Sequence, residues 1–71
     1  MSDYQRISCE AYSIYELAIM RNQSIKVTIN GKPQTIQPQD IVSKSGEEFL
    51  IFLDKENTRK ELRADQIILT L

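Results

Sequence analysis

The pair Asn30-Gly31, which directly follows an alternating segment, constrains the fold more than any other feature of this sequence. Ile25, Val27 and Ile29 alternate with polar residues, which is the two-residue repeat of a strand with one buried face. Asn-Gly favours a type I′ hairpin because both residues adopt positive φ readily. We therefore expect a strand over residues 24–30 and a second strand that pairs back on it.

Two prolines make the second predicted strand irregular. Pro33 and Pro38 each remove a backbone donor, and proline is confined to strand starts, edges and bulges. We expect this strand to cover residues 33–43 and to bend or bulge at residues 38–40. A long, bent second strand is typical of small barrels.

The rest of the chain predicts three more strands. Residues 47–53 form a continuous apolar run between turn signals, and we interpret this run as the central strand, covered on both faces. A strand over residues 58–63 follows a polar turn. The last strand, over residues 66–71, is expected to close against the first or the third strand.

The amino-terminal part of the chain predicts a helix over residues 8–21. Ser8 is a good N-cap, and Glu10 in the first turn is favoured by the helix dipole. Five apolar residues at helical spacing indicate a side that packs on the core: Ala11, Tyr12, Tyr15, Ala18 and Ile19. The opposite side is also partly apolar, with Ile14, Leu17 and Met20, so it is either covered or available to a partner.

These elements predict one α+β, mostly β domain over residues 1–71. Its amino-terminal helix is followed by a five-stranded, strongly bent antiparallel sheet or small barrel. Ten Ile, six Leu and two Val among 71 residues are enough for a compact core, and the interspersed charges, 27% of residues, are typical of a globular chain. The net charge of −1 argues against a general polyanion binder.

The composition also argues against an enzyme. The chain has no His, and its two Gly are used in turns rather than in a phosphate-binding loop. Adjacent Glu47 and Glu48 point to opposite faces of a strand, and Cys9 has no nearby base, so we interpret Cys9 as a structural, partly buried residue. We expect no catalytic residues, no metal and no cofactor. One Cys and the lack of a signal segment or an 18-residue apolar run predict a cytoplasmic protein without membrane contact.

The amino-terminal segment resembles the Rho-binding antiterminator family, the small Rof proteins that inhibit the bacterial termination factor Rho. In that family a Tyr-x-Pro-Ile-x-Cys segment leads into a helix with a Tyr and then a Leu-Glu-Leu-Ala run. The matching residues here are Tyr4, Ile7, Cys9, Tyr12, Glu16, Leu17 and Ala18. Weaker similarity extends over residues 25–32, 40–43 and 61–67, so the resemblance covers nearly the whole chain.

The resemblance implies an Sm-like fold and a protein that binds Rho, occupies its primary RNA-binding site and so reduces termination. By position, it makes Glu10, Tyr12 and Glu16 the partner-binding residues of the helix, with Asp3 on the segment before it. The turn that contains Lys44 and Glu47 is a further candidate. Acids on a docking surface would steer the protein to a basic site and replace the phosphates there.

Two other functions keep the fold and change the ligand. An Sm-like protein could bind RNA directly, with its basic residues Lys44, Lys55, Arg59, Lys60 and Arg63. Alternatively, the domain could associate with itself through Ile14, Leu17 and Met20 or through its last strand. A monomer is expected if the protein binds Rho.

Overall fold

The computed structural model describes residues 7–69 and confirms the α+β, mostly β class. One helix, α1 (Cys9–Arg21), precedes five strands. The strands are β1 (Ile25–Ile29), β2 (Lys32–Lys44), β3 (Glu47–Leu53), β4 (Arg59–Arg63) and β5 (Ile67–Leu69), and a 3₁₀ turn at Ala64–Gln66 joins the last two. The predicted Asp3 lies outside the described residues, as does the end of the predicted last strand at residues 70–71.

Both ends of α1 are capped by residues suited to that task. At the amino end, the Ser8 side chain accepts a hydrogen bond from the backbone N–H of Ala11 at 3.1 Å. At the carboxyl end, Asn22 adopts the left-handed conformation with φ 52°, and the N–H of Gln23 donates to the carbonyl of Ala18 at 2.9 Å. The two ends of the helix are therefore set by hydrogen bonds between residues that are close in sequence.

The hairpin predicted from Asn30-Gly31 is present. Asn30 and Gly31 have φ of 53° and 76°, and Ile29 at the end of β1 is paired with Lys32 at the start of β2. The two positive φ values are those a type I′ turn requires. This turn fixes the register, which places Val27 and Ile29 in the core.

Strand β2 changes partner in the middle. Its first half pairs with β1 up to Ile36, and its second half pairs with β3 from Gln37 onward. The register with β3 shifts between Pro38 and Asp40, at the predicted position of the bulge. Pro38 is buried here, so the bend turns around a packed side chain.

The strand order is β4-β3-β2-β1-β5, which corrects two expectations. The strand in the middle of this order is β2 rather than the apolar β3, which lies between β2 and the edge strand β4. β5 pairs with β1, one of the two expected partners, while β4 pairs with β3. The described strands thus form an open sheet with β4 and β5 at its edges, and a closed barrel is not observed in residues 7–69.

The core lies between α1 and the inner face of the sheet. Its buried side chains come from the helix and from four of the strands: Tyr15, Val27, Ile29, Ile36, Leu50, Phe52 and Ile67. In β3 only Leu50 and Phe52 are buried, and the residues between and beside them are half-buried. The expectation that β3 is fully covered on both faces is therefore wrong for its outer face.

Tyr15 is the helix residue that anchors α1 to the sheet, with 1% of its surface exposed. Burial disfavours the phenolate, and it raises the pKa of Tyr15 from 10.0 to about 12. The unfolded chain consequently ionises at lower pH than the folded protein does. The stabilising effect of the neutral phenol is complete below pH 10 and is lost as the pH rises toward 12.

We predict that the free energy of unfolding falls by roughly 2 kcal/mol between pH 10 and pH 12 because of Tyr15 alone. The substitution Tyr15→Phe keeps the ring and removes this contribution. Urea unfolding of both proteins at several pH values measures it. Between pH 10 and pH 12 the unsubstituted protein should lose about 2 kcal/mol relative to Tyr15→Phe, and parallel curves would contradict the assignment.

Candidate functional site

The helix and the second half of β2 border a shallow groove. Two adjoining cavities of about 360 and 170 Å³ form it, and the half-buried ring of Tyr12 lines both. We call it the α1–β2 groove and define it by Tyr12, Glu16, Asp40, Ser43 and Glu48. Two of the predicted partner-binding residues, Tyr12 and Glu16, are thereby brought to one surface.

Helical spacing decides which predicted residues reach the groove. Tyr12 and Glu16 are four residues apart and lie on the same side of α1. Glu10 is six residues from Glu16, which places it about 120° away around the helix axis. Glu10 is exposed but does not line the groove, so the predicted pair of helix acids is divided between two sides of α1.

The strand side of the groove adds acids that the sequence analysis did not select. Asp40 follows the bulge of β2, and its carboxylate accepts a hydrogen bond from the N–H of Ile41 at 2.8 Å. Glu48 is paired with Ser43 in the ladder between β2 and β3. Only the bend of β2 brings these side chains opposite Tyr12 and Glu16, and the local sequence around them carries no signal of it.

Lys44 and Glu47 do not line the α1–β2 groove. The Lys44 Nζ lies 2.8 Å from the Glu61 Oε2 and 5.2 Å from the centroid of the Phe49 ring. The Glu47 Oε2 lies 3.4 Å from the Arg63 Nη1. These contacts tie β2 and β3 to β4, so a structural role accounts for the two residues that the sequence analysis selected for binding.

Cys9 is exposed, which corrects the prediction of a partly buried structural residue. It occupies the first helical position and borders the α1–β2 groove beside Tyr12. The buried side of the helix is the one that carries Tyr15, and Cys9 lies on a different side. The sequence pattern alone could have indicated this position.

A separate groove has a volume of about 740 Å³. Four lysines line it, Lys26, Lys32, Lys55 and Lys60, and we call it the lysine groove. It shares no lining residue with the α1–β2 groove. The sequence analysis did not select Lys26 and Lys32, because each is an isolated basic residue in the hairpin and no short segment brings them near Lys55 and Lys60.

In the part of the chain that the structure describes, no three His, Cys, Asp or Glu side chains gather into a possible metal site. No described helix is both long and apolar enough to span a membrane. What the two surfaces offer is charge, an aromatic ring and shape, which are properties of binding sites.

Comparison of the chain with protein-family models, with curated proteins and with solved structures finds no match in any of the three. A function is therefore proposed from the residues of the grooves together with the resemblance of the amino-terminal segment.

The cap at Ser8 fixes the start of α1 and so the position of Tyr12. We predict that Ser8→Ala lowers the free energy of unfolding by about 1 kcal/mol, because the Ala11 N–H loses its acceptor. Ser13→Ala, at an exposed position inside the helix, is the matched control and should change stability by less than about 0.5 kcal/mol. Thermal unfolding measures both, and equal effects would contradict the role of the cap.

Proposed function

We propose that this protein is a Rof-like inhibitor of transcription termination that binds the Rho hexamer through its α1–β2 groove and blocks RNA access. The observation that carries the proposal is the composition of that groove. Glu16 and Asp40 line one of its cavities with Tyr12, and Glu48 lines the other, while no Lys or Arg of residues 7–69 lines either cavity. The resemblance of the amino-terminal segment to the Rof family supplies the partner.

The α1–β2 groove offers the same kinds of groups as a nucleotide, with carboxylates in place of phosphates and an aromatic ring in place of a base. A site for single-stranded RNA combines basic groups that neutralise phosphates with surfaces on which bases stack. Carboxylates can pair with the basic groups, and an aromatic ring can occupy a base position. Tyr12 between Glu16 and Asp40 offers both features on one face. Competition with RNA for one site follows from this likeness.

The position of the acids suits a rapid encounter. Glu16 and Asp40 are exposed, so their field reaches solvent and attracts a basic surface before contact. Glu10 lies on another side of the helix and would add to this steering without entering the contact. Binding to Rho also places the protein in the bacterial cytoplasm, where transcription takes place.

Direct RNA binding through the residues selected from the sequence receives less support. Three of those five basic residues are in ion pairs: Lys44 with Glu61, Lys60 with Asp54, and Arg63 with Glu47 and Asp65. Self-association through α1 rests on the exposed Leu17 and Met20, which are 45% and 78% exposed. Two exposed apolar side chains are ordinary for a protein surface.

The test is a calorimetric titration of the full chain against the Rho hexamer, with and without an oligo-pyrimidine competitor for the primary site. We expect binding that the competitor displaces. Glu16→Lys should weaken binding at least about tenfold, since it reverses a charge at the contact. Glu10→Lys is the matched control, with the same change of charge on the same helix, and should weaken binding by about threefold or less.

Two results would contradict the proposal. One is the absence of binding at tens of micromolar protein, and the other is equal binding by Glu16→Lys and the unsubstituted protein. Equal weakening by both variants would overturn the assignment of the contact to the α1–β2 groove. Far-ultraviolet circular dichroism of each variant establishes that the fold is retained.

A further inference from the structure

The lysine groove is a consequence of the divided pairing of β2. Residues 32–36 of β2 pair with β1. Pairing of β2 with β3 begins only at Gln37, which lies opposite Leu53. Beyond Leu53 the chain enters the turn at residues 54–58 instead of continuing alongside β2. A gap therefore opens between the β1–β2 hairpin and this turn, and its volume is about 740 Å³.

The turn beside the gap is held rigidly by Asp54. Its Oδ1 accepts hydrogen bonds from the backbone N–H groups of Glu56 at 2.8 Å and Thr58 at 3.0 Å. Lys60 approaches the Oδ2 at 3.2 Å. The hydrogen bond from Thr58, with those from Glu56 and Lys60, holds the pKa of Asp54 below its usual value. The carboxylate is thus committed to the turn and to Lys60.

Three lysines remain for a ligand once Asp54 and Lys60 are paired. Lys26, Lys32 and Lys55 are exposed, and none of them takes part in an ion pair within residues 7–69. Glu56 is the other acid in the lining. The groove therefore has a formal charge of +2, in a protein whose net charge is −1. Its occupant should be an anion.

The form of the groove selects among anions. The lysines come from both strands of the hairpin and from the turn after β3, so they are distributed along an open surface rather than gathered around one point. A single small anion would need a closed site with converging donors. An extended chain of phosphates matches distributed point charges, because each Lys can neutralise a different phosphate. Among residues 7–69 no aromatic side chain lines the groove, so these residues would contact phosphates rather than stacked bases.

The alternative of an added peptide strand is less suited to this groove. Pro33 lies in the stretch of β2 that has no β3 partner, and it lacks the N–H that an incoming strand would use. Lysine and proline at a strand edge are the usual protection against such pairing. The edge is thus closed to strand addition, while its charge stays accessible.

We infer that the lysine groove binds the phosphodiester backbone of a nucleic acid through its lysines alone, independently of base sequence. This surface is separate from the one proposed to bind Rho. With three available lysines, the logarithm of the affinity should fall with the logarithm of salt concentration with a slope of about −2. Binding should therefore weaken by about 18-fold between 50 and 200 mM salt.

The experiment measures fluorescence anisotropy of a labelled 12-nucleotide oligo-uridylate with the full chain, at 50 and 200 mM salt. The variant Lys26→Gln/Lys32→Gln should bind about tenfold or more weakly at 50 mM salt and lose only about threefold between the two salt concentrations. The matched control is Arg21→Gln/Lys44→Gln, which removes the same charge outside the groove. It should bind within about threefold of the unsubstituted protein.

Several results would overturn the inference. They are undetectable binding at 50 mM salt, equal losses in the two double variants, or a salt dependence that the Lys26→Gln/Lys32→Gln variant leaves unchanged. Oligo-thymidylate of the same length should bind as oligo-uridylate does, since the contacts are to phosphates, and discrimination between the two would contradict this. A labelled acidic peptide that binds more tightly than the oligonucleotide would assign the groove to a protein partner instead. Rho is absent from these assays, so their outcome does not depend on whether the protein inhibits termination.

Discussion

The bend of β2 is the constraint on which the rest of the structure depends. A strand of 13 residues, Lys32–Lys44, is long enough to pair with β1 in its first half and with β3 in its second. The bulge after the buried Pro38 reorients the chain between the two halves. This reorientation wraps the sheet around Tyr15 and Phe52, so one strand provides a core that a flat five-stranded sheet of this length would not enclose.

Both grooves originate from the same bend. The second half of β2 carries Asp40 and Ser43 to the side of α1 and completes the α1–β2 groove. The first half leaves β3 and opens the lysine groove. Acidic and basic surfaces are thereby separated on a molecule whose longest dimension is 34 Å, several times the screening length of about 8 Å at physiological salt. The net charge of −1 is thus the sum of an acidic and a basic surface, and it does not represent the local charge of either one.

Local signals in the sequence predicted most of the elements, because the chemistry that sets them is local. Ser8 marked the start of α1, Asn30-Gly31 marked the hairpin, and the prolines marked the bulge. The apolar run in β3 indicated the central strand, whereas β3 lies between β2 and the edge strand β4, because the place of a strand in the order is set by pairing with distant segments. Closure into a barrel depends on contacts between distant strands, and no short segment encodes them.

The candidate sites were only partly predictable for the same reason. Tyr12 and Glu16 were selected by their position in the resemblance to the Rof family, and their spacing of four residues places them on one side of α1 in the structure. Asp40 and Glu48 join them through the tertiary bend, and Lys26 joins Lys55 across the sheet. Lys44 and Glu47 lie outside the α1–β2 groove, and their ion-pair partners Glu61 and Arg63 on β4 are too far along the chain for the local sequence to indicate them.

The central claim is that Rho covers the α1–β2 groove, and amide hydrogen exchange of the full chain with and without the Rho hexamer tests it most directly. The account predicts slower exchange in the first two turns of α1 and at residues 39–46, with unchanged exchange at residues 26–35 and 54–58. Protection confined to the lysine groove, or no protection at saturating Rho, would contradict it.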